Sequence, residues 1–275
     1  MDILVTGGSG FIGSNLVDEL VKENKVTVWD NYDTGGHMNP KANHIFQDVL
    51  KPYKDLSNID IIFHLAAKAR IQPSFDRPKI TYETNVTGTV NMLELARKHD
   101  AKFVYAGSSS AYFDVYANPY AFSKWNGEQC CKLYNQVYDV KVAIARFFNV
   151  YGPREYKEGT WAPVVGRFIH QWENGIPLTV TGDGEQRRDF THVFDIVSGL
   201  IAMSKKEWNA DIFNLGTGTN HSINELAALF DTPIEYTPKR PGEATTTTAD
   251  ISKSKELLNW NPVMDLEGYI NEIKI

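Results

Sequence analysis

Tyr120 and Lys124 stand four residues apart in Pro119-Tyr120-Ala121-Phe122-Ser123-Lys124. Periodicity predicts a helix there, so both side chains leave one face. A phenol with a reference pKa of about 10 is a poor base at neutral pH, and an ammonium beside it favours the phenolate. Ser108, in Tyr105-Ala106-Gly107-Ser108-Ser109-Ser110, follows a predicted strand. Its hydroxyl can share a substrate oxygen with the phenol and pass a proton between them. Such a set removes the proton from an alcohol, the acid/base half of a hydride transfer. On an arbitrary helix a Tyr-x-x-x-Lys pair is more often a solvated pair, so this reading depends on what precedes it.

What precedes it is a glycine-rich turn. Gly7, Gly10 and Gly13 lie in Thr6-Gly7-Gly8-Ser9-Gly10-Phe11-Ile12-Gly13, after the first apolar run and at the start of the first helical pattern. Glycines permit a tight turn and close backbone approach, so a pyrophosphate can rest on the N–H groups of the helix start, including those of Phe11 and Ile12. The spacing is G-x-x-G-x-x-G, not the usual G-x-G-x-x-G, and is weak by itself. Asp30 strengthens it, because it ends the second predicted strand, where a carboxylate accepts hydrogen bonds from ribose hydroxyls and repels a 2′-phosphate. That favours NAD over NADP. Asn31 adjoins it, and Asp48 with Val49, then Leu65-Ala66-Ala67, fall at later strand ends, where they are placed to line the adenine and the central cofactor.

The elements that position these groups follow from short apolar runs at Ile3–Thr6, Val26–Trp29, Ile59–Leu65, Phe103–Ala106 and Val142–Phe147. Helical periodicity lies between them, at about 11–23, 79–99 and 119–138. Strand and helix in alternation predict an α/β fold, a Rossmann-like doubly wound parallel sheet with ligands at the carboxyl ends of its strands. After Asn149 turn signals multiply, which predicts a smaller C-terminal α/β substrate-binding lobe. The expected division is a dinucleotide-binding domain over 1–150, with a return near 188–215, and a lobe over 151–187 and 216–275.

Composition excludes several classes. The net charge of -6 is spread along 275 residues without a basic block, so nucleic acid is not an expected partner. Neither a leader pattern nor a membrane-length apolar run is present, which predicts a soluble protein. Cys130 and Cys131 are adjacent, unsuited to an ordinary disulfide, as expected in a reducing cytoplasm. The seven histidines show no ligand spacing, so no metal is expected.

These motifs together resemble the extended short-chain dehydrogenase/reductase family, in its NAD-dependent nucleotide-sugar epimerase and dehydratase group, and most of all its UDP-hexose 4-epimerases. The resemblance also rests on Asn85-Val86-Thr87-Gly88-Thr89, Arg146-Phe147-Phe148-Asn149-Val150-Tyr151-Gly152-Pro153-Arg154, Gly182 to Phe190, and Arg240-Pro241-Gly242-Glu243. It implies that Asn85 helps organise the lysine and that Phe148 packs near the nicotinamide. It implies that Asn149, Arg188 and Arg240 hold the diphosphate of a UDP-sugar, with Glu243 on the ribose and a strand at Thr179 facing the base. In the family, dehydratases carry Asp-Glu after the serine, and decarboxylases a Glu at the second position. Here Ser109 and Ser110 stand there, which implies reversible hydride transfer alone and thus epimerisation, at C4. Thr247 is small where some 4-epimerases carry a large aromatic, which implies room for an N-acetyl group. Only eleven residues separate Ser108 from Tyr120, fewer than is usual, and Phe113 replaces a glycine. The family also implies a homodimer. An oxidoreductase that releases reduced cofactor, and an NAD-binding regulator without catalysis, are the alternative readings.

Overall fold

The computed structural model describes residues 1–53 and 56–275. Six strands of the N-terminal half, β1 (Asp2–Thr6), β2 (Lys25–Asp30), β3 (Asn43–Phe46), β4 (Ile61–His64), β5 (Lys102–Ser108) and β6 (Val142–Phe147), join Asn209–Leu215 in one parallel sheet. From one edge the order is Asn209–Leu215, β6, β5, β4, β1, β2, β3. Chain direction across the sheet reverses between β1 and β4, and a crevice opens there above the carboxyl ends. The inner strands are buried on both faces, which is why β1, β4 and β6 read as unbroken apolar runs rather than alternating ones.

Helix α1 (Phe11–Leu20) is shorter than the periodicity predicts, because Val21 to Asn24 turn back towards β2. The segment 79–99 is not one helix. After α2 (Ile71–Asp76) come α3 (Pro78–Tyr82), a wide π-type turn over Glu83–Thr87, and α4 (Gly88–His99). The Thr89 hydroxyl donates to the Asn85 carbonyl at 2.8 Å, and the Asn85 side chain is drawn away to Lys68 and Ser123. Local side-chain bonds of this kind compete with the regular ladder. In contrast α5 (Pro119–Tyr138) has the predicted bounds: proline opens it, the Asn118 side chain accepts the Ala121 N–H at 2.7 Å, and Asp139 ends it in the left-handed region.

Two apolar cores cover the two faces of the sheet, one centred on α1 and α7 (Val193–Ser204), the other on α4 and α5. A third core, with Phe168, Leu178, Phe190 and Phe230, belongs to the smaller lobe. Here α6 (Val164–Glu173) packs on a two-stranded parallel ribbon, Leu178–Thr181 with Ile234–Thr237. The expected lobe boundary needs one correction. Ala249, Ile251 and Trp260 sit in the core of the main sheet, and the Trp260 indole N–H donates to the Asp195 carbonyl at 3.0 Å. The chain therefore crosses back to the large domain before its last helix, Leu266–Ile273.

Candidate active site

A cleft of about 950 Å³ runs from the glycine turn, past Ser108, Tyr120 and Lys124, to the ribbon of the small lobe. At its first end Gly7 has φ +70°, and a side chain there would meet the Ala66 backbone at 2.7 Å. A side chain on Gly13 would lie 2.1 Å from the Gly7 carbonyl, so only glycine closes the turn onto α1. Asp30 is 8% exposed and ties the turn to β2: its carboxylate accepts the Ser9 N–H at 2.9 Å and the Tyr32 N–H at 2.8 Å. A carboxylate has about four lone-pair directions, so acceptor capacity remains for a ribose. Asn31 and Val49 border the cleft as well. Asp48 does not, since it accepts from Asn31 at 3.2 Å and from the Leu50 N–H at 2.9 Å. The geometry fits a dinucleotide: a side-chain-free cradle at a helix start, an acid at the next strand end, and Leu65, Ala66 and Ala67 on the facing wall.

Ser108 caps a single 3-10 turn, Ser109–Tyr112, and its Oγ accepts the Ser110 hydroxyl at 2.8 Å. Tyr120 and Lys124 leave one face of α5 and border the cleft with Ser108. The electrostatics differ from the sequence-based expectation. Burial holds the Tyr120 phenol above its ordinary range, and what opposes burial is the Ser108 hydroxyl and the Arg70 guanidinium, not Lys124. Lys124 itself is pushed down to about 8 by burial, against the pull of Glu128 and Cys131. Its ammonium lies 4.4 Å from the centre of the Tyr105 ring. Beneath, Glu128 is clamped by Arg146 at 2.6 and 3.0 Å. Asn85 does not border the cleft; it binds the Lys68 backbone and donates to Ser123 Oγ at 2.9 Å, one residue before Lys124. Phe148 does not border it either. Phe147 ends β6 on the cleft side, so the alternation of side chains turns Phe148 into the core at 1% exposure.

At the far end Arg188 and Glu243 face each other at 3.6 Å, with Arg240 and Arg167 nearby. Asn149 donates to the Asp189 carbonyl at 3.0 Å and to Thr247 Oγ1 at 3.3 Å, which fixes both on the wall. Thr179 donates its N–H to Gln171 Oε1 at 3.1 Å, and its hydroxyl oxygen accepts from Gln171 Nε2 at 3.0 Å. Sequence reasoning missed Arg70 and Arg167, both on the cleft wall. Arg70 follows Leu65-Ala66-Ala67 by three residues, and its place beyond a strand end was the available signal.

A dinucleotide-binding sheet with a Ser, Tyr and Lys set over the same crevice defines a nucleotide-dependent enzyme that acts on an alcohol. Residues 3–216 match the model of the NAD dependent epimerase/dehydratase family. A protein of Methanocaldococcus jannaschii that carries the provisional name of UDP-glucose 4-epimerase is 36% identical, over 98% of this chain and 96% of its own. UDP-glucuronic acid decarboxylase 1 of Arabidopsis thaliana is also 36% identical, over 96% of this chain and 67% of its own. The crystal structure of UDP-glucuronic acid 4-epimerase from Bacillus cereus, with UDP-glucuronic acid and NAD, superposes with a TM-score of 0.91 at 28% identity, over 100% of this chain and 99% of that one. The chain belongs to the NAD-dependent epimerase/dehydratase family, and its cofactor is NAD.

Proposed function

We propose that the protein is a UDP-sugar 4-epimerase. One observation carries this reading: Ser108, Tyr120 and Lys124 share the cleft wall, and the two positions after Ser108 hold hydroxyls, Ser109 and Ser110, not acids. Asp114 is the sole acid that the segment between Ser108 and Tyr120 adds to the wall, and its Oδ1 already accepts the Tyr116 N–H at 2.9 Å. The glycine turn would hold the NAD pyrophosphate and Asp30 its adenosine ribose. NAD held there would supply the acceptor for the hydride of the sugar carbinol and the donor for its return.

Tyr120 removes the proton from the C4 hydroxyl, with Ser108 hydrogen-bonded to the same oxygen. The Ser108 hydroxyl and the positive charge of Arg70 favour the phenolate that this needs. The keto sugar then presents its other face, and the phenol returns the proton to the new alcohol. Ser109 and Ser110 supply no acid to expel a hydroxyl, so hydride returned to the other face gives the C4 epimer. Asn149, Arg188 and Arg240 would hold the diphosphate, with Glu243 on the uridine ribose and the Thr179 strand beside the base. Thr247 leaves space for an N-acetyl group. Among the described residues no helix is long and apolar enough to span a membrane. We place the enzyme in the cytoplasm as a homodimer paired through α4 and α5.

Purified protein incubated with UDP-glucose, UDP-N-acetylglucosamine and UDP-glucuronic acid, followed by NMR, tests the reading. Expected products are the C4 epimers, with no carbon dioxide released and no net rise in reduced cofactor. A pentose product, or stoichiometric NADH, would replace it with decarboxylation or net oxidation.

A further inference from the structure

Asn118 joins the two walls of the cleft through one buried side chain. It is 5% exposed and precedes Tyr120 by two residues. Its Oδ1 accepts the Ala121 N–H at 2.7 Å, which caps α5. A serine or an aspartate would cap the helix as well. What asparagine adds is a second group, because its Nδ2 donates to the Gly242 carbonyl at 3.0 Å.

Gly242 lies in the segment that carries Arg240 and Glu243, and this segment is docked on the entry to α5. Gly242 has φ +73°, and a Cβ there would stand 3.0 Å from the Phe75 ring and 3.2 Å from the Ala117 carbonyl oxygen. Glycine alone allows so close an approach in that conformation. One residue earlier, the Pro241 carbonyl accepts from Gln72 Nε2 at 3.1 Å. Both carbonyls between Arg240 and Glu243 are thus held by side chains of the large domain, one from α2 and one from the start of α5.

These bonds fix a distance. Helix α5 is continuous over 20 residues, so Tyr120 moves with Asn118, while Arg240 moves with Gly242. Tyr120 and Arg240 both border the cleft. A nucleotide-sugar held by its diphosphate must bring one ring carbon to the phenol, and a misplacement of about 1 Å costs on the order of a hundredfold in rate. We infer that Asn118 is a positioning residue, which ties the segment that holds the nucleotide to the helix that carries the phenol and so sets the register between diphosphate and reacting carbon. The assignment rests on the UDP-sugar epimerase reading and adds to it the link between its two ends.

The test separates the two bonds of this one side chain. Asn118→Asp keeps the cap and the shape but sets an acceptor against the Gly242 carbonyl, and Asn118→Ser keeps the cap but is too short to reach it. Kinetics would be measured by chromatography with whichever of UDP-glucose, UDP-N-acetylglucosamine and UDP-glucuronic acid the parent epimerises, beside NAD affinity and Tm. In both variants kcat should fall by about thirtyfold or more, while KM rises less than about fivefold and the Kd of NAD stays within about twofold. Gln72→Ala, which removes the neighbouring bond and leaves α5 untouched, should lower kcat by at least about threefold. A rise in KM with kcat unchanged would make Asn118 a contributor to nucleotide binding alone and overturns the assignment. Parent constants in Asn118→Asp overturn it too, as does a fall in Tm with unchanged kcat per NAD-loaded enzyme. If the Asn118 variants fail to bind NAD, Gln72→Ala decides, and an unchanged kcat there overturns the assignment. A parent that binds NAD yet epimerises none of the three sugars sinks the epimerase reading itself.

Discussion

Tyr120 is asked to ionise in a place that opposes ionisation. Burial raises its phenol, the Ser108 hydroxyl and Arg70 lower it, and the amine expected to help is itself pushed down to about 8. The oxidised nicotinamide ring adds a positive charge, so the phenolate is favoured when the cofactor is present. Tyr120→Phe removes the acid/base group and leaves the glycine turn intact. Turnover should fall by about a hundredfold or more, while NAD binding, followed by calorimetry, stays within about twofold. Comparable turnover in the variant would remove Tyr120 from the mechanism. The motif residues were legible because type and short spacing identify them. Arg70 and Arg167 were not, since only the packing of distant segments brings them to the cleft wall.

Glycine governs the element that holds the cofactor. Gly13→Ala would put a methyl group 2.1 Å from the Gly7 carbonyl, a distance that must be relieved by opening the turn. NAD affinity should drop by at least about tenfold, with a smaller loss of stability, read as a raised Kd beside a modest fall in Tm. Unchanged affinity would mean that the turn does not cradle the pyrophosphate. A second element, the loop Gly152–Gly166, is held from within by Glu155, whose acid lies above the usual range of 4.5, at about 8. Here the protonated form is the one that folding favours. The contribution is fully present below about pH 4.5 and is lost as pH rises through about 8, because an ionised carboxyl must then be buried. Arg70 and Lys157 soften that cost. Relative to Glu155→Gln, the parent should therefore lose stability between pH 5 and 8, by on the order of a few kcal/mol in denaturant titrations. A flat difference across that range would show the carboxyl ionised throughout. Helix α5 was readable from its proline and asparagine cap; the break in 79–99 was not, because it depends on where the Asn85 and Thr89 side chains bond.

The whole molecule shows a parallel sheet with one helical layer only partly covered. The alternation of strands and helices made the sheet legible in the sequence. The return of Ala249 to Trp260 was not, since those residues carry no strand and meet the sheet through apolar packing and through side-chain bonds to the Asn209–Leu215 strand. Helix α5 buries Ala121, Lys124, Glu128 and Cys131 against the sheet and turns a second stripe outward: Phe122, Trp125, Leu133 and Val137 at helical spacing. Leu133 and Val137 are 54% and 58% exposed, with Tyr138 beside them at 49%. Around the amino end Phe122 packs against Tyr82, Tyr116 and Trp125, so the outward face is apolar over much of its length. A second copy related by a two-fold axis would pair this stripe with itself, as isologous interfaces do. The parent should then sediment at twice its chain mass of 31.0 kDa, and Leu133→Glu combined with Val137→Glu should shift it to the monomer. Neither position borders the cleft, so NAD affinity should survive dissociation to within about threefold. A parent that sediments as a monomer at micromolar concentration would leave the stripe without this partner.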